Sequence, residues 1–164
     1  VALPFRDTRD SSLLGGIDAV YELLDESFVT LTAILGSRFV GRMRDRVVAE
    51  HERLQTVRAV LDDWASLQRK WMYLWPIFKL GGDAIKTSLR AETKAFGVVD
   101  TAYKEVMKRV RDDSNALRAC LRSGLKEALE KHGVTLDEVL HRLEAYLETK
   151  RLAFPRFYFL ADED

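Results

Sequence analysis

Apolar residues recur at steps of three and four along almost the whole chain. Ile17, Val20, Leu24, Phe28, Leu31 and Leu35 keep that spacing between the turn at Gly15-Gly16 and Gly36, which predicts a first amphipathic helix. The stretch from about residue 39 to 75 reads as heptads. Its first seam positions are Val40, Val47, Leu54, Leu61, Gln68 and Trp75, its fourth positions Met43, Glu50, Val57, Trp64 and Trp71, and nine of these eleven are apolar. About 37 residues at ~1.5 Å each make a rod of ~55 Å, longer than a compact domain of this size is wide. Such a helix is expected to project or to span several neighbours. Pro76 has no amide hydrogen and is expected to end it, with Ile77-Phe78 and then Gly81-Gly82 reversing the chain.

Residues 91–111 predict another helix, with Phe96, Val99, Tyr103, Val106, Met107 and Val110 on one side, and Asp112-Asp113-Ser114-Asn115 breaks it. A helix over residues 117–131 is expected to stop at His132-Gly133. Thr135-Leu136-Asp137-Glu138 then reads as a capping box, opening a last helix striped by Leu136, Val139, Leu140, Leu143, Tyr146 and Leu147. No strand is read, and residues 1–12 are expected as an irregular lead-in to a single unit covering residues 1–164. The fold class expected is all-α: an elongated antiparallel helical bundle or array with one very long helix. The last helix runs without a polar spacer into Phe154-Pro155-Arg156-Phe157-Tyr158-Phe159. Phe154, Pro155, Phe157 and Phe159 therefore head a tail, residues 155–164, expected to dock on an apolar surface.

Charge and chemistry narrow the functional classes. Twenty-six basic residues balance 26 acidic ones, so no long-range field favours nucleic acid or an anionic membrane. No apolar run reaches the ~18 residues of a membrane helix. The single cysteine, Cys120, excludes an internal disulfide and fits a reducing compartment such as cytosol. The chain starts without methionine and ends in Asp162-Glu163-Asp164, as expected for a piece of a longer protein. His51-Glu52-Arg53-Leu54-Gln55 begins like a zinc-protease helix but lacks the second histidine. His132 and His141 read as solvated helix-end residues. Neither G-x-x-x-x-G-K-[ST] nor G-x-G-x-x-G occurs, and no serine, threonine or cysteine stands in a nucleophile setting. No catalytic, cofactor-binding or metal-binding residue is therefore expected, and Cys120 is expected to pack.

The basic clusters Arg38, Arg42, Arg44, Arg46 and Lys108, Arg109, Arg111 are interspersed with Asp45, Glu50, Glu105, Asp112 and Asp113, which reads as solvated helix faces. Trp64 and Trp71 lie two turns apart on one face and are expected in the core. Tyr73 and Trp75 cannot both share that face, so one of them should meet another element or a partner.

Three segments carry a resemblance. Residues 64–78 (W-A-S-L-Q-R-K-W-M-Y-L-W-P-I-F), residues 99–107 (V-D-T-A-Y-K-E-V-M) and residues 146–159 (Y-L-E-T-K-R-L-A-F-P-R-F-Y-F) occur in an order and spacing that resembles the linker region of dynein heavy chains. Leu13-Leu14-Gly15-Gly16-Ile17-Asp18 and Leu35-Gly36-Ser37 look like the same region, and E-T-K-R-L-A-F-P-R-F is closer to the axonemal branch. The chain departs from the family at Trp75, where an acidic residue usually precedes the proline, and over residues 126–135. The resemblance implies an α-helical arm between a cargo-binding tail and a ring of AAA+ modules, swinging with the nucleotide state of the first module while hydrolysis occurs elsewhere. It implies the AAA+ ring of the same heavy chain and other dynein subunits as partners, with microtubules reached only through the full-length motor. It also implies the cytoplasm and the axoneme of a cilium or flagellum as location. In a lever of this kind Trp64, Trp71, Trp75, Pro76 and Phe78 are structural or docking residues. Gly81-Gly82, or the break from Asp112 to Asn115, would be the compliant point. The competing reading is a free-standing helical scaffold that binds a protein partner through its long helix and aromatic tail.

Overall fold

Helix α2 (Arg44–Trp75) is the axis on which the other elements are arranged. The computed structural model describes residues 1–8 and 11–153; the expected docking residues Phe154, Pro155, Phe157 and Phe159 lie outside them. Helix α1 (Asp18–Gly36) lies antiparallel along the first half of α2. Tyr21 donates to Asp62 at 2.6 Å, Arg58 pairs with Asp25, and Phe28 meets the edge of His51 at 5.2 Å. These pairs move in opposite directions along the two helices. The second half of α2 meets α4 (Arg90–Asp112) through Trp71 and Tyr103 and α6 (Leu125–Ala153) through Lys70 and Asp137. Helix α4 runs back along α2, and α6 returns beside both. Short helices α3 (Asp83–Ser88) and α5 (Ala116–Cys120) make the corners.

Burial follows the expected stripes. On α2 the inward positions are Val47, Leu54, Val57, Val60, Leu61, Trp64, Leu67, Trp71 and Leu74, and on α4 Phe96, Val99, Tyr103, Met107 and Val110. The α2 stripe is wider than a two-position seam because Val60, Leu67 and Leu74 add a third row, as a helix packed against several neighbours requires. The all-α expectation holds, with a rod of 32 residues rather than about 37. Residues 41–43 form a separate tight turn, and Met43 is half exposed, so the first heptad is not part of the rod.

Several local expectations are overturned. Residues 1–12 are not an irregular lead-in: strands β1 (Phe5–Asp7) and β2 (Ser12–Leu14) form an antiparallel hairpin pairing Phe5 with Leu14 and Asp7 with Ser12. Three-residue strands are too short for an alternation signal. The residues before them also pair, with the Leu3 amide donating to the Ser114 carbonyl at 2.6 Å, which buttresses the α4–α5 break. Pro76 ends the α-helix at Trp75 as expected, but it does not reverse the chain at once. The chain continues through a wide five-residue turn, Pro76–Leu80, with Pro76 at φ −62° and ψ −34°. Proline's fixed φ is helical, and a wider turn relieves its clash with the preceding carbonyl.

The third correction concerns His132-Gly133, where no helix stops. Helix α6 runs unbroken from Leu125, and the break falls at Gly124, whose φ of +78° suits glycine. Leu125, Leu129, Leu136, Val139 and Leu143 form one continuous buried stripe across the glycine, so tertiary packing overrides its weak propensity. The fourth follows from it: Thr135 caps nothing, and its hydroxyl donates to the Lys131 carbonyl at 3.1 Å inside the helix. His132 and His141 are likewise mid-helix residues rather than helix-end ones. A methyl group at Gly133 would meet no atom within 4 Å. Gly133→Ala should therefore raise stability by about 0.5–1 kcal/mol in a urea titration. A lower midpoint would show that α6 is not helical there.

Candidate functional site

The chemistry concentrates where α2, the Pro76–Leu80 turn, α4 and the hairpin meet. Asp100 sits on the buried stripe of α4 with only 3% of its surface exposed. Its Oδ1 accepts from the Trp71 indole N–H at 3.0 Å, and its Oδ2 pairs with Lys79 at 2.9 Å and Lys104 at 3.2 Å. One carboxylate thus ties three elements: Trp71 from α2, Lys79 from the wide turn and Lys104 from the next turn of α4. Burial pushes the Asp100 carboxyl pKa up, but the hydrogen bonds from Lys79, Lys104 and Trp71 outweigh it and hold the group below the usual carboxylate value. The carboxylate is therefore charged at neutral pH.

Beside it, the Trp71 ring stacks on Tyr103 at 4.6 Å, and the Tyr103 hydroxyl donates to Gln68 Oε1 at 2.7 Å. Burial drives the Tyr103 phenol pKa far above its ordinary value, so it serves as a fixed donor. The Gln68 amide also grips the hairpin. Its Oε1 accepts from the Leu14 amide and its Nε2 donates to the Leu14 carbonyl, both at 2.8 Å. Gln68, one of the two polar exceptions in the α2 seam, is thus the clamp that seats β2.

The remaining expected residues fall around this cluster. Trp64 is fully buried, and its indole N–H has no hydrogen-bond partner among the described residues. Trp75 lies partly buried 6.5 Å from Trp71, while Tyr73 is 56% exposed, so Trp75 is the one that joins the core. Pro76 is exposed, and Phe78 is buried and stacks on Phe96 at 5.4 Å. Gly81 has ordinary extended backbone, yet a methyl group on it would lie 1.9 Å from the Ile77 carbonyl oxygen. This is a close approach of backbone to backbone. Gly81→Ala should cost about 1–3 kcal/mol, because the wide turn must open to admit the methyl group. Gly82→Ala, with open space around it, serves as the control. Equal melting temperatures for the two variants would contradict this geometry.

Cys120 is buried and burial pushes its thiol up to about 12, so it stays protonated and packs as expected. Among the described residues no group of three or more His, Cys, Asp or Glu is placed to hold a metal ion. A crevice beside Trp64, lined by Val106, Val110, Ala119 and Leu125, encloses about 150 Å³, and a more open one of about 520 Å³ lies between α4 and α6, lined by Ala95, Glu138, His141 and Arg142. No described helix is long and apolar enough to cross a membrane. Asp100 and Tyr103 were absent from the sequence-derived site. The available signal was a carboxylate one residue from Val99 on an otherwise apolar stripe.

A helical segment whose polar side chains clamp one helix to its neighbours is the class that fold and cluster define. The chain belongs to the dynein heavy chain family, over the part described as N-terminal region 2, which it matches across residues 1–164. It is 40% identical over its whole length to dynein axonemal heavy chain 6 of Homo sapiens, covering 4% of that protein. It is 35% identical to dynein axonemal heavy chain 2 of Homo sapiens over 99% of the chain and 4% of the relative, and 33% identical to dynein axonemal heavy chain 12 of Rattus norvegicus over 98% and 5%. The chain therefore spans only a small part of the length of these curated relatives.

Proposed function

We propose that this segment is a mechanical linker, or lever, of an axonemal dynein motor, non-catalytic itself and needing no cofactor. The observation that carries the reading is the mounting of α2: Lys70 and Trp71 in its second half are held by Asp137 of α6 and by Asp100 and Tyr103 of α4, whereas His51 in its first half meets Phe28 of α1. At ~1.5 Å per residue the rod is ~48 Å long, so a small rotation at the clamped end moves the free end through a larger distance. Family membership and the printed names of the relatives support the motor and the cilium or flagellum axoneme as setting. In this reading the ring of AAA+ modules in the same heavy chain drives the arm, other dynein subunits complete the complex, and microtubules are reached only through the whole motor. The Trp71–Asp100, Lys79–Asp100 and Phe78–Phe96 contacts cross the Gly81–Gly82 reversal. Bending at the glycine pair would have to open those contacts, so Asp100 sets the stiffness of this corner.

The test uses a full-length heavy chain carrying this segment. Asp100→Ala should slow microtubule gliding while ATP hydrolysis persists, because a softened lever loses displacement and not chemistry. Unchanged gliding from a variant shown to be softened would overturn the lever and favour a passive scaffold.

A further inference from the structure

The α1–α2 connection is unlike the rest of the surface. Phe39 is 80% exposed, Met43 50% and Ile34 39%, all at the end of the α1–α2 pair, and Val29, two turns back along α1, is 71% exposed. Four arginines, Arg38, Arg42, Arg44 and Arg46, stand against one aspartate, Asp45, a net charge of +3 in nine residues of a chain that is neutral overall. Elsewhere Arg53, Arg58, Arg109, Arg111 and Arg118 each hold a carboxylate, and, among the described residues, the arginines without one there are scattered singly along the chain. At the tip none of the four arginines has a carboxylate partner among the described residues; Arg38 instead lies over the Phe39 ring at 4.8 Å. Singly exposed apolar residues are ordinary, but an exposed aromatic with a guanidinium on its ring, inside a run of four arginines, has the composition of an interface centre.

From this geometry we propose that the α1–α2 tip docks an acidic amphipathic protein segment, whose carboxylates pair with Arg42, Arg44 and Arg46 while an apolar side chain lies on Phe39 and Met43. Charge complementarity names the occupant's sign, and the exposed apolar residues name its second requirement. Val29, Ile34 and Met43 offer nothing to a phosphate backbone, and Asp45 would repel one. Guanidinium forks suit carboxylate pairs, and an apolar neighbour that excludes water strengthens them. The proposal does not depend on the lever reading.

The experiment measures fluorescence anisotropy of the 164-residue chain with a labelled helical peptide of about 18 residues, glutamate-rich with leucine at every third or fourth position. Comparators are the same peptide with alanine for leucine, a duplex DNA of about 20 base pairs, and vesicles of phosphatidylcholine with phosphatidylserine. The leucine peptide should bind, weakening roughly tenfold for Phe39→Ser and for Arg42→Glu with Arg44→Glu. Circular dichroism and melting temperature should not change, since these side chains are exposed. Absence of binding overturns the proposal, as does equal affinity for the alanine peptide, insensitivity to Phe39→Ser, or tighter binding of DNA or vesicles.

Discussion

Trp71→Ala is expected to destabilise the fold by about 3–5 kcal/mol, the range for deleting a large buried aromatic. Two losses combine. The ring leaves a cavity beside Tyr103, on which it stacks at 4.6 Å, and the indole N–H no longer donates to Asp100. Trp71→Phe separates them: it keeps most of the apolar volume and removes the donor, so its cost should be about 1–2 kcal/mol. Chemical denaturation of the three proteins gives both numbers. If Trp71→Ala melts like the parent, Trp71 is not part of the core.

Replacing Asp100 should be the next most damaging change and the one with a pH signature. Asp100→Ala is expected to cost about 2–3 kcal/mol, below the ~3–5 kcal/mol of a fully buried pair because Lys79 and Lys104 can turn to water. Their side chains are 40% and 35% exposed, whereas that of Asp100 is 5% exposed. Asp100→Asn keeps an acceptor for Trp71 and removes the charge. The folded-state pKa of Asp100 lies below the ordinary value, so its stabilisation is fully present above the unfolded carboxylate pKa of ~3.9 and disappears as pH falls through the lower folded one. The gap between parent and Asp100→Asn in urea midpoints should therefore be constant from neutral pH down to the unfolded pKa and close below it. A gap that widens on acidification would mean that the folded state raises this pKa.

The sequence was most legible where one periodicity governs a long helix. Trp64, Trp71, Phe96 and Tyr103 stand on long, mostly apolar stripes, which point to the core where they are buried. It was least legible where local and distant preferences disagree. Gly133 and the box at residues 135–138 carry the local signals of a boundary, but the stripe through Leu129, Leu136 and Val139 buries enough to hold the helix together. The lead-in hairpin was invisible because what holds it, Gln68, lies 54 residues from Leu14 in sequence. Asp100 was passed over for a related reason. A carboxylate in an apolar stripe looks like a helix drifting out of register until Lys79, across the turn, supplies its counter-charge.

The way Gln68 holds Leu14 also limits what that position can be. Its side-chain amide offers one acceptor and one donor to the backbone N–H and C=O of a single residue, as a third strand would. Glutamate has the same length but no donor for the Leu14 carbonyl, asparagine is one methylene short, and leucine fills the seam while leaving both peptide groups unsatisfied. A heptad rule alone would welcome leucine there. The hairpin instead selects for glutamine, so this one position on the rod answers to backbone recognition and not to hydrophobic packing.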